Sequence, residues 1–342
     1  MSKIVTFGEI MLRLAPEGYY RFVQADKYGA TYGGGEANVA ISLANFGEDV
    51  SFVTKLPNHE IGQAGINYLR RFGVNTSSIV RGGERVGIYF LEKGASQRPS
   101  KVIYDRKGSS IAESYKDDFN WDEIFKDASW FHITGITPAL NKNVSDICIE
   151  ACKKAKEKGL TVSCDLNYRK KLWSTDEANK VMSELCKYVD ICVSNEEDAY
   201  SVFGIKASNT DIENGKLNNE GYIEVAKKLV EKFNFKKVAI TLRSSISAND
   251  NNWKGMLYDS EKKESYFSKE YNIHIVDRVG GGDSFAAALI YSLMHNIDNQ
   301  RTIELSVAAS CLKHTIEGDF NMVSIEEVEK LADGDSTGRV QR

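Results

Sequence analysis

The segment Asp277–Ser284 reads DRVGGGDS and runs directly into Phe285–Ile290, which reads FAAALI. The small apolar residues after the three glycines predict a helix that begins at this turn. The free N–H groups at a helix start attract anions, and glycine lets a phosphate approach the backbone closely. Asp283 ends this cradle and could accept a proton from a hydroxyl that attacks phosphorus. The alternative interpretation is a tight turn in which Asp283 caps the helix.

A second glycine-rich turn lies near the start of the chain, where Tyr32–Ala40 reads YGGGEANVA. By itself it predicts only a helix start that contains Asn38. The turn at Asp277–Ser284 lacks the G-x-x-x-x-G-K-[ST] spacing, so a P-loop mechanism does not apply. The two turns together are more informative, because one chain carries two glycine-rich helix starts about 250 residues apart.

Short apolar runs alternate with longer helical patterns along the chain. The runs are typical of strands buried on both faces of a parallel sheet, and they are Lys3–Phe7, Val50–Thr54, Trp130–Ile133, Thr161–Asp165, Ile191–Ser194 and Val238–Leu242. The predicted helices are Glu36–Phe46, Gly62–Phe72, Asn143–Lys158, Asp176–Tyr188 and Glu220–Phe233. This alternation predicts a doubly wound α/β fold.

Two stretches interrupt the alternation, at residues 12–32 and 85–110. Apolar and polar residues alternate there without a helical pattern. Within the second stretch, Val86–Leu91 and Lys101–Tyr104 look like antiparallel strands. We expect both stretches to form a small β-sheet inserted into the main fold.

The rest of the chain is interpreted as one domain over residues 1–331, followed by a C-terminal tail over residues 332–342. Two polar stretches, Lys206–Glu220 and Ser244–Trp253, are predicted to be loops.

Composition excludes several classes of protein. The 342 residues include 44 Lys and Arg against 48 Asp and Glu, a formal net charge of −4. This mild acidity argues against a nucleic-acid-binding protein, which normally carries a clustered basic surface. We expect neither a membrane span, since no run approaches 18 apolar residues, nor a signal peptide. The six cysteines form no C-x-x-C pair and are interpreted as reduced core residues of a cytoplasmic protein.

Both glycine-rich turns match signatures of one family, and the sequence resembles the PfkB (ribokinase-like) carbohydrate kinases. The family's D-T-x-G-A-G-D signature is matched by Asp277–Asp283, with Arg278 in place of threonine and Gly281 in place of alanine. Its G-G-x-x-x-N signature is matched by Gly33–Asn38, and the resemblance extends over about residues 3–331. It implies a ribokinase-like, doubly wound, mostly parallel sheet with the small inserted sheet as a lid.

Within the family, the sequence looks most like 2-keto-3-deoxygluconate kinases. The matching pieces are Tyr104–Arg106, Asp165–Arg169 and Gly318–Asp319. The resemblance therefore implies ATP-dependent phosphorylation of the terminal 6-hydroxyl of a sugar acid, with ATP and Mg²⁺ as cofactors.

The resemblance also implies roles for the residues of the C-terminal turn. Asp283 would be the base that takes the proton from the sugar hydroxyl. Gly280, Gly281 and Gly282 would offer N–H groups to the charge that grows on the transferred γ-phosphoryl group. Phosphoryl transfer depends on such positioning and charge neutralisation more than on covalent help.

The sugar would be held between the N-terminal turn and the lid. By resemblance, Gly34 and Asn38 would contact it, and Tyr89 and Tyr104 would form part of the lid. Asp319 is interpreted either as an acceptor for a sugar hydroxyl or as a residue that merely follows a glycine turn.

Arginine side chains bear on which sugar is bound. An acid sugar carries a carboxylate, which arginine binds through two parallel N–H···O bonds. Arg106 and Arg169 are the candidates, and a neutral hexose would require neither as a charge partner. Arg106 could instead be a solvated cation, since Lys101 and Lys107 lie beside it in the sequence. The resemblance implies that Arg169 lies between substrate and phosphate.

The nucleotide side departs from the usual family pattern. Many relatives have T-L-G-x-x-G at one strand end, whereas the residues that follow Thr241 and Leu242 here include neither glycine. Arg243 could reach a phosphate or be exposed. The residues expected to border the nucleotide are Asn167, Ser194, Thr241, Arg243, Ser244, Gly280, Gly282 and His314.

The family's N-x-x-E motif, which is linked to the metal, appears here as Asn195–Asp198, with aspartate at the end. Asn195 and Asp198 are therefore interpreted as Mg²⁺ residues that act through water. The alternative is an acidic helix start after a strand.

Other functions remain open at this point. The chain could be a kinase for a neutral sugar such as fructose or ribose, or a sensor that binds sugar or nucleotide without catalysis. A dinucleotide oxidoreductase fits poorly, because no G-x-G-x-x-G follows the first strand. Inserted sheets of this kind often pair between subunits, so we also expect a homodimer formed through the lid.

Overall fold

The structure is a computed structural model that describes residues 3–195, 197–207 and 219–334. Within these ranges, no helix is both long enough and apolar enough to cross a membrane. Most of the predicted loop Lys206–Glu220 lies outside the described residues, as do residues 335–342 of the predicted tail.

A mixed sheet forms the centre of the described part of the chain. Its parallel strands are β1 (Lys3–Phe7), β4 (Val50–Val53), β9 (Ala128–Thr134), β10 (Thr161–Asp165), β11 (Ile191–Asn195) and β12 (Lys237–Ser245). Three antiparallel strands extend it at one edge, β13 (Asp250–Asp259), β14 (Glu264–Phe267) and β15 (Tyr271–His274). The order is β14-β13-β12-β11-β10-β9-β1-β4, with β15 also paired to β13.

Helices cover both faces of this sheet. They are α1 (Gly35–Asn45), α2 (Glu60–Arg70), α3 (Trp121–Ile124), α4 (Lys142–Glu157), α5 (Thr175–Leu185), α6 (Asp198–Phe203), α7 (Asn219–Phe233), α8 (Gly281–Met294), α9 (Asn299–His314) and α10 (Ile325–Ala332). Buried residues of α4, α5, α6 and α7 form one core cluster with the sheet, and those of α1, α2, α8, α9 and α10 form another on the opposite face. The α/β class predicted from the alternation is confirmed.

Local chemistry explains where several helices begin. Asn141 accepts the Val144 N–H at the start of α4. Capping boxes start α5 at Ser174 and α10 at Ser324, each closed by a glutamate three residues later. In α4 the buried face includes Val144 and carries the apolar residues expected from the sequence.

A separate four-stranded sheet stands over one end of the central sheet. It contains β2 (Met11–Pro16), β3 (Tyr28–Gly33), β7 (Ile88–Glu92) and β8 (Lys101–Asp105), in the order β3-β2-β7-β8. The β7–β8 pair is antiparallel, as its alternating pattern indicated. A short parallel pair, β5 (Lys55–Leu56) with β6 (Val80–Arg81), lies apart from both sheets.

One loop prediction is wrong. The stretch Ser244–Trp253 forms a β-hairpin in which Arg243 pairs with Trp253 and β12 continues to Ser245. Its polar residues suggested a loop, but the end of this antiparallel pair is partly solvated, and polar side chains are compatible with a strand there. The Ser247 hydroxyl accepts the N–H of Asp250 at 2.9 Å and so stabilises the turn.

The arrangement of the parallel strands determines where a ligand can bind. From β1 the chain proceeds to β4 on one side, whereas β9, β10, β11 and β12 follow on the other side. Ligands of open α/β sheets bind outside the carboxyl ends of the strands, at the point where the strand order reverses. The topology therefore predicts a site beside the ends of β1 and β9.

Candidate active site

A cavity of about 470 Å³ lies at this point, between the carboxyl ends of the parallel strands and the four-stranded sheet. Its walls bring together residues from distant parts of the sequence, including Glu9, Gly34, Glu36, Asn38, Tyr89, Tyr104, Arg106, Asp165, Asn167, Arg169, Ser194, Asn195, Asp198, Thr241, Arg243, Arg278, Gly280, Gly281, Gly282, Asp283 and Asp319. Most of the predicted site residues thus line one cavity.

The two glycine-rich turns meet through a single hydrogen bond. Asn38 is buried in the first turn of α1, and its Nδ2 donates to Oδ2 of Asp283 at 2.6 Å. Asp283 lies in the first turn of α8 and is partly open to the cavity. The turns are 245 residues apart in the sequence, so only the packing of α1 against α8 brings them into contact.

Each glycine of the C-terminal turn has a different surrounding. Gly280 has a φ of 85°, in the left-handed region, and a Cβ there would overlap the carbonyl oxygen of Asp319. A Cβ at Gly281 would overlap the ring of His314. A Cβ at Gly282 would have nothing within 4 Å. Gly282 therefore leaves open space at the start of α8, where N–H groups can receive an anion.

Burial in the cavity wall raises the pKa of two carboxyl groups, those of Asp165 and Asp283. Burial raises the pKa of Asp283 to about 6, although the bond from Asn38 and the charge of Arg169 oppose this rise. Burial raises the pKa of Asp165 well above its ordinary value, and the neighbouring charges of Asp198 and Asp283 add to that rise. At neutral pH a carboxyl with a pKa near 6 is mostly ionised and is a suitable proton acceptor.

The four-stranded sheet of β2, β3, β7 and β8 is called the lid here. Close contact between two backbone segments and an ion pair shape the cavity wall next to it. A Cβ at Gly34 would overlap the carbonyl oxygen of Glu9, so only glycine fits there. Arg106, buried, forms an ion pair with Glu9 and packs over the ring of Tyr104 at 5.5 Å from the centroid. Its Nε is buried without a hydrogen-bond partner in the described residues. Sequence reasoning did not find Glu9, which is 97 residues from Arg106.

Beneath this wall lies a buried network of ion pairs and hydrogen bonds that sequence reasoning missed. Arg13 in β2 donates from Nη2 to Asp277 at 2.5 Å and from Nη1 to Asp319 at 2.6 Å. The hydroxyl of Tyr89 in β7 donates to both carboxylate oxygens of Asp319. The network therefore ties β2 and β7 to Asp277, in the loop before α8, and to Asp319, in the loop between α9 and α10. Asp319 borders the cavity, but its carboxylate is already engaged, so a bond to a sugar hydroxyl stays a prediction.

Strand geometry separates the residues predicted to border the nucleotide. Thr241 and Arg243 alternate along one face of β12 and line the cavity. Ser244 is on the other face of the strand and is absent from the cavity wall. His314 is buried behind Gly281, where Nδ1 lies 2.6 Å from the carbonyl oxygen of Ser310. Neither Ser244 nor His314 lines the cavity, and their contact with the nucleotide stays a prediction.

The residues expected to serve Mg²⁺ lie where β11 leads into α6. The side-chain oxygen of Asn195 accepts the N–H groups of Glu197 and Asp198 at 2.8 and 2.9 Å, which commits it to the start of α6. Among the described residues, no group of three or more His, Cys, Asp or Glu side chains could cage a metal ion. The roles of Asn195 and Asp198 toward an ion held mainly by water and phosphate stay a prediction.

Two further buried groups went unnoticed in the sequence. Oε1 of Glu36 accepts hydrogen bonds from Thr134 and Thr137, and burial raises the pKa of Glu36 to about 7. The ammonium group of Lys313 is buried below the C-terminal turn and donates to the carbonyl of Ile316 at 3.1 Å. No motif marks either residue, because their burial follows from elements that are distant in sequence.

Known proteins with similar sequences and structures cover nearly the whole chain. A family model described as pfkB family carbohydrate kinase matches residues 1–324. The 2-dehydro-3-deoxygalactonokinase of Haloferax volcanii is 30% identical over 98% of this chain and 98% of its own length. The 2-dehydro-3-deoxygluconokinase of Thermoproteus tenax is 28% identical over 97% of this chain and 94% of its own. A crystal structure of 2-dehydro-3-deoxygluconokinase from Thermotoga maritima is 54% identical, covers 98% of this chain and 100% of that one, and superposes with a TM-score of 0.94.

Proposed function

The chain belongs to the pfkB family of carbohydrate kinases, and we propose that it transfers the γ-phosphoryl group of ATP to the terminal 6-hydroxyl of a sugar acid. The substrate we propose is 2-keto-3-deoxygluconate, which is the same compound as 2-dehydro-3-deoxygluconate. The names of its relatives support a sugar acid as substrate.

The observation that carries this proposal is the Asn38–Asp283 bond beside the open glycine turn. Asn38 holds one carboxylate oxygen at 2.6 Å, the other forms no hydrogen bond within the part of the chain that the structure describes, and Asp283 lines the cavity. A Cβ at Gly35 would lie 3.6 Å from that second oxygen, so the absence of a side chain there keeps space for a substrate hydroxyl. Asp283 thus acts as general base on the hydroxyl that attacks phosphorus.

The start of α8 stabilises the charge that develops as the phosphoryl group moves. Gly282 is open to the cavity, and the N–H groups at this helix start point toward an anion. Gly280 is held in its left-handed conformation against Asp319, which keeps the turn in place before the nucleotide arrives. Mg²⁺, when bound with the nucleotide, neutralises phosphate charge, and Asp198 would hold part of its water shell.

Arg169 is the side chain that best accounts for an acid substrate. No ion pair links it to any described carboxylate within 4.0 Å, and its Nη1 donates only to the Tyr168 carbonyl at 3.2 Å. Its charge nevertheless lowers the pKa of both Asp165 and Asp283, so it is close to the base. A substrate carboxylate would give this guanidinium the partner that it lacks.

A neutral sugar is a second candidate because of the Glu9–Arg106 ion pair. Glu9 balances the charge of Arg106, so this arginine adds little net attraction for a carboxylate. A pocket that relied on Arg106 alone would accept a neutral sugar such as fructose or ribose.

A coupled ADP-release assay over acid and neutral sugars tests the proposal. The panel includes 2-keto-3-deoxygluconate, its galactonate epimer, fructose and ribose, and ³¹P NMR identifies the phosphorylated position. We expect acid sugars to be phosphorylated at the 6-hydroxyl. Highest kcat/KM for fructose or ribose would favour the neutral-sugar kinase, and ligand binding without any ADP release would favour a sensor.

The variant Arg169→Met tests which group recognises the carboxylate. Loss of a charge-assisted pair should lower kcat/KM for acid sugars by roughly 10- to 100-fold and leave neutral sugars much less affected. Arg301→Met is the matched control, since Arg301 pairs with Asp333 away from the cavity. An equal loss for both sugar classes would contradict recognition of the carboxylate by Arg169.

We also propose a cytoplasmic homodimer formed through the lid. All six cysteines are free and buried, in keeping with a reducing compartment. Tyr28 and Ile103 are exposed apolar residues on β3 and β8, the two edge strands of the lid sheet. Pairing with a second subunit would cover these edges. Sedimentation that gives a monomer mass at all protein concentrations would contradict the dimer.

A further inference from the structure

Besides Arg169, two other arginines on the cavity wall, Arg243 and Arg278, lack a counter-ion among the described residues. Arg243 lies near the end of β12, and Arg278 lies between β15 and the glycine turn. Both line the cavity that contains Asp283. Neither forms an ion pair within 4.0 Å with a carboxylate in residues 3–195, 197–207 or 219–334. Two other arginines of this region, Arg13 and Arg106, are each paired with buried carboxylates.

The backbone holds the two arginines in neighbouring positions. Arg243 shares the cavity-facing side of β12 with Thr241. Arg278 donates from Nη2 to the carbonyl of Ala248 at 2.9 Å, which fixes its guanidinium beside the turn of the β12–β13 hairpin. A guanidinium held in this way presents its remaining N–H groups without having to be ordered on binding.

The electrostatics of the pair favour the binding of an anion. Burial lowers the pKa of Arg278, and the positive charge of Arg243 lowers it further. Asp277, adjacent in sequence, opposes this effect, but its carboxylate is bound to Arg13. Arg278 is partly buried and Arg243 is exposed, and an anion between the two like charges would reduce their repulsion.

We propose that Arg243 and Arg278 form a clamp for the terminal phosphates of the nucleoside triphosphate, next to the glycine turn at Gly282. This inference rests on the proposed function and names the residues that bind its phosphate donor. The strand end after Thr241 lacks the glycines of T-L-G-x-x-G, and Arg278 replaces the threonine of the family signature. Both departures place a guanidinium near the phosphates, where relatives with the usual pattern have glycine or threonine.

A series of nucleotides without sugar tests the clamp. Binding of AMP, ADP and ATP, each with Mg²⁺, is measured by calorimetry for the wild type, Arg243→Met, Arg278→Met and the double variant. Each single substitution should weaken ATP binding by roughly 10-fold or more, as expected for a charge-assisted bond, and leave AMP within about 2-fold. The double variant should lose less than the product of the two single effects, since both side chains bind one anion.

Two controls keep the test independent of folding. Arg301→Met removes an arginine outside the cavity and should bind all three nucleotides like the wild type. Arg278→Lys keeps the charge but not the fork of N–H groups, and should fall between wild type and Arg278→Met. In steady-state kinetics the clamp variants should raise KM for ATP and leave KM for the sugar unchanged.

Several results would overturn the clamp. Equal weakening of AMP, ADP and ATP would assign the effect to the base, the ribose or the fold. Unchanged ATP binding in the double variant would identify both arginines as solvated side chains. Weaker binding of the sugar acid alone would assign them to the carboxylate. Absence of ATP binding by a wild-type chain would overturn the proposed function itself, a result distinct from a wild-type kinase that is indifferent to both substitutions.

Discussion

Replacing Asp283 by asparagine should abolish most turnover and, at the same time, stabilise the fold. The carboxyl of Asp283 has a pKa of about 6, against an ordinary value of 3.8. Because the folded-state pKa is the higher one, the ionised form destabilises the folded protein at pH above about 6, and this effect disappears as the pH falls below 3.8. The substitution removes the ionised form at every pH.

The size of the stabilisation follows from this difference in pKa. It corresponds to about 3 kcal/mol at pH 7.5, since each pH unit between the two values is worth about 1.4 kcal/mol. The side chain is partly open to the cavity, and its bond from Asn38 becomes a neutral one in the variant. We therefore expect Asp283→Asn to raise the free energy of unfolding by about 2 kcal/mol at pH 7.5, and by roughly half of that at pH 5.

Urea unfolding at these two pH values, paired with turnover on 2-keto-3-deoxygluconate, checks both effects. Turnover should fall by roughly 10²- to 10⁴-fold, the usual contribution of a general base, while ATP still binds. Asp117→Asn, on an exposed aspartate far from the cavity, should change neither quantity. Near-normal turnover would refute the base assignment. A variant no more stable than wild type at pH 7.5 would refute the argument from burial.

Four further substitutions test the architecture of the site. Gly280→Ala should lower the free energy of unfolding by at least 1–3 kcal/mol in urea titrations, because its φ of 85° and the neighbouring carbonyl exclude a Cβ. Gly282→Ala has space for its methyl group and should keep wild-type stability while losing kcat. Arg13→Met should cost about 3–5 kcal/mol, since two buried aspartates lose their partner, and a Tm close to wild type would contradict this. Wild-type kcat/KM should fall about tenfold from pH 7 to pH 5 as Asp283 is protonated. In Asn38→Leu this decline should occur at higher pH, because the Asn38 bond lowers the pKa of Asp283.

Much of the secondary structure could be predicted from local pattern. The strand Thr161–Asp165 has the same bounds in the sequence analysis and in the structure. Most predicted helix ends fall within two residues of the observed ones, and the end predicted for α5 is completed by a 3-10 turn over Cys186–Tyr188. These agreements arise because apolar periodicity and capping residues act over a few positions. The hairpin that contains Ser247 was missed because its polar residues resemble those of a loop.

Some residues of the candidate site could be predicted from the sequence and others could not, depending on whether their partners are near in the sequence. Motif residues such as Asn38 and Asp283 could be identified because the family signatures keep them beside glycines. The partners of Arg13 could not, because they lie 264 and 306 residues away in the chain. The resemblance implies that the whole strand end Thr241–Ser244 borders the nucleotide, but neighbouring residues of a strand point to opposite faces, and of Arg243 and Ser244 only Arg243 lines the cavity.

From the sequence alone, the chain's α/β class and the two glycine-rich helix starts could be derived, because both depend on residues close together along the backbone. Only the tertiary structure decided that Asn38 meets Asp283 and that Glu9 balances the charge of Arg106. It likewise decided that Arg243 and Arg278 lie close together with no counter-ion among the described residues. Each of these contacts joins residues that are far apart in the sequence. They are set by the packing of α1 against α8 and of the lid over the strand ends, which no local pattern encodes.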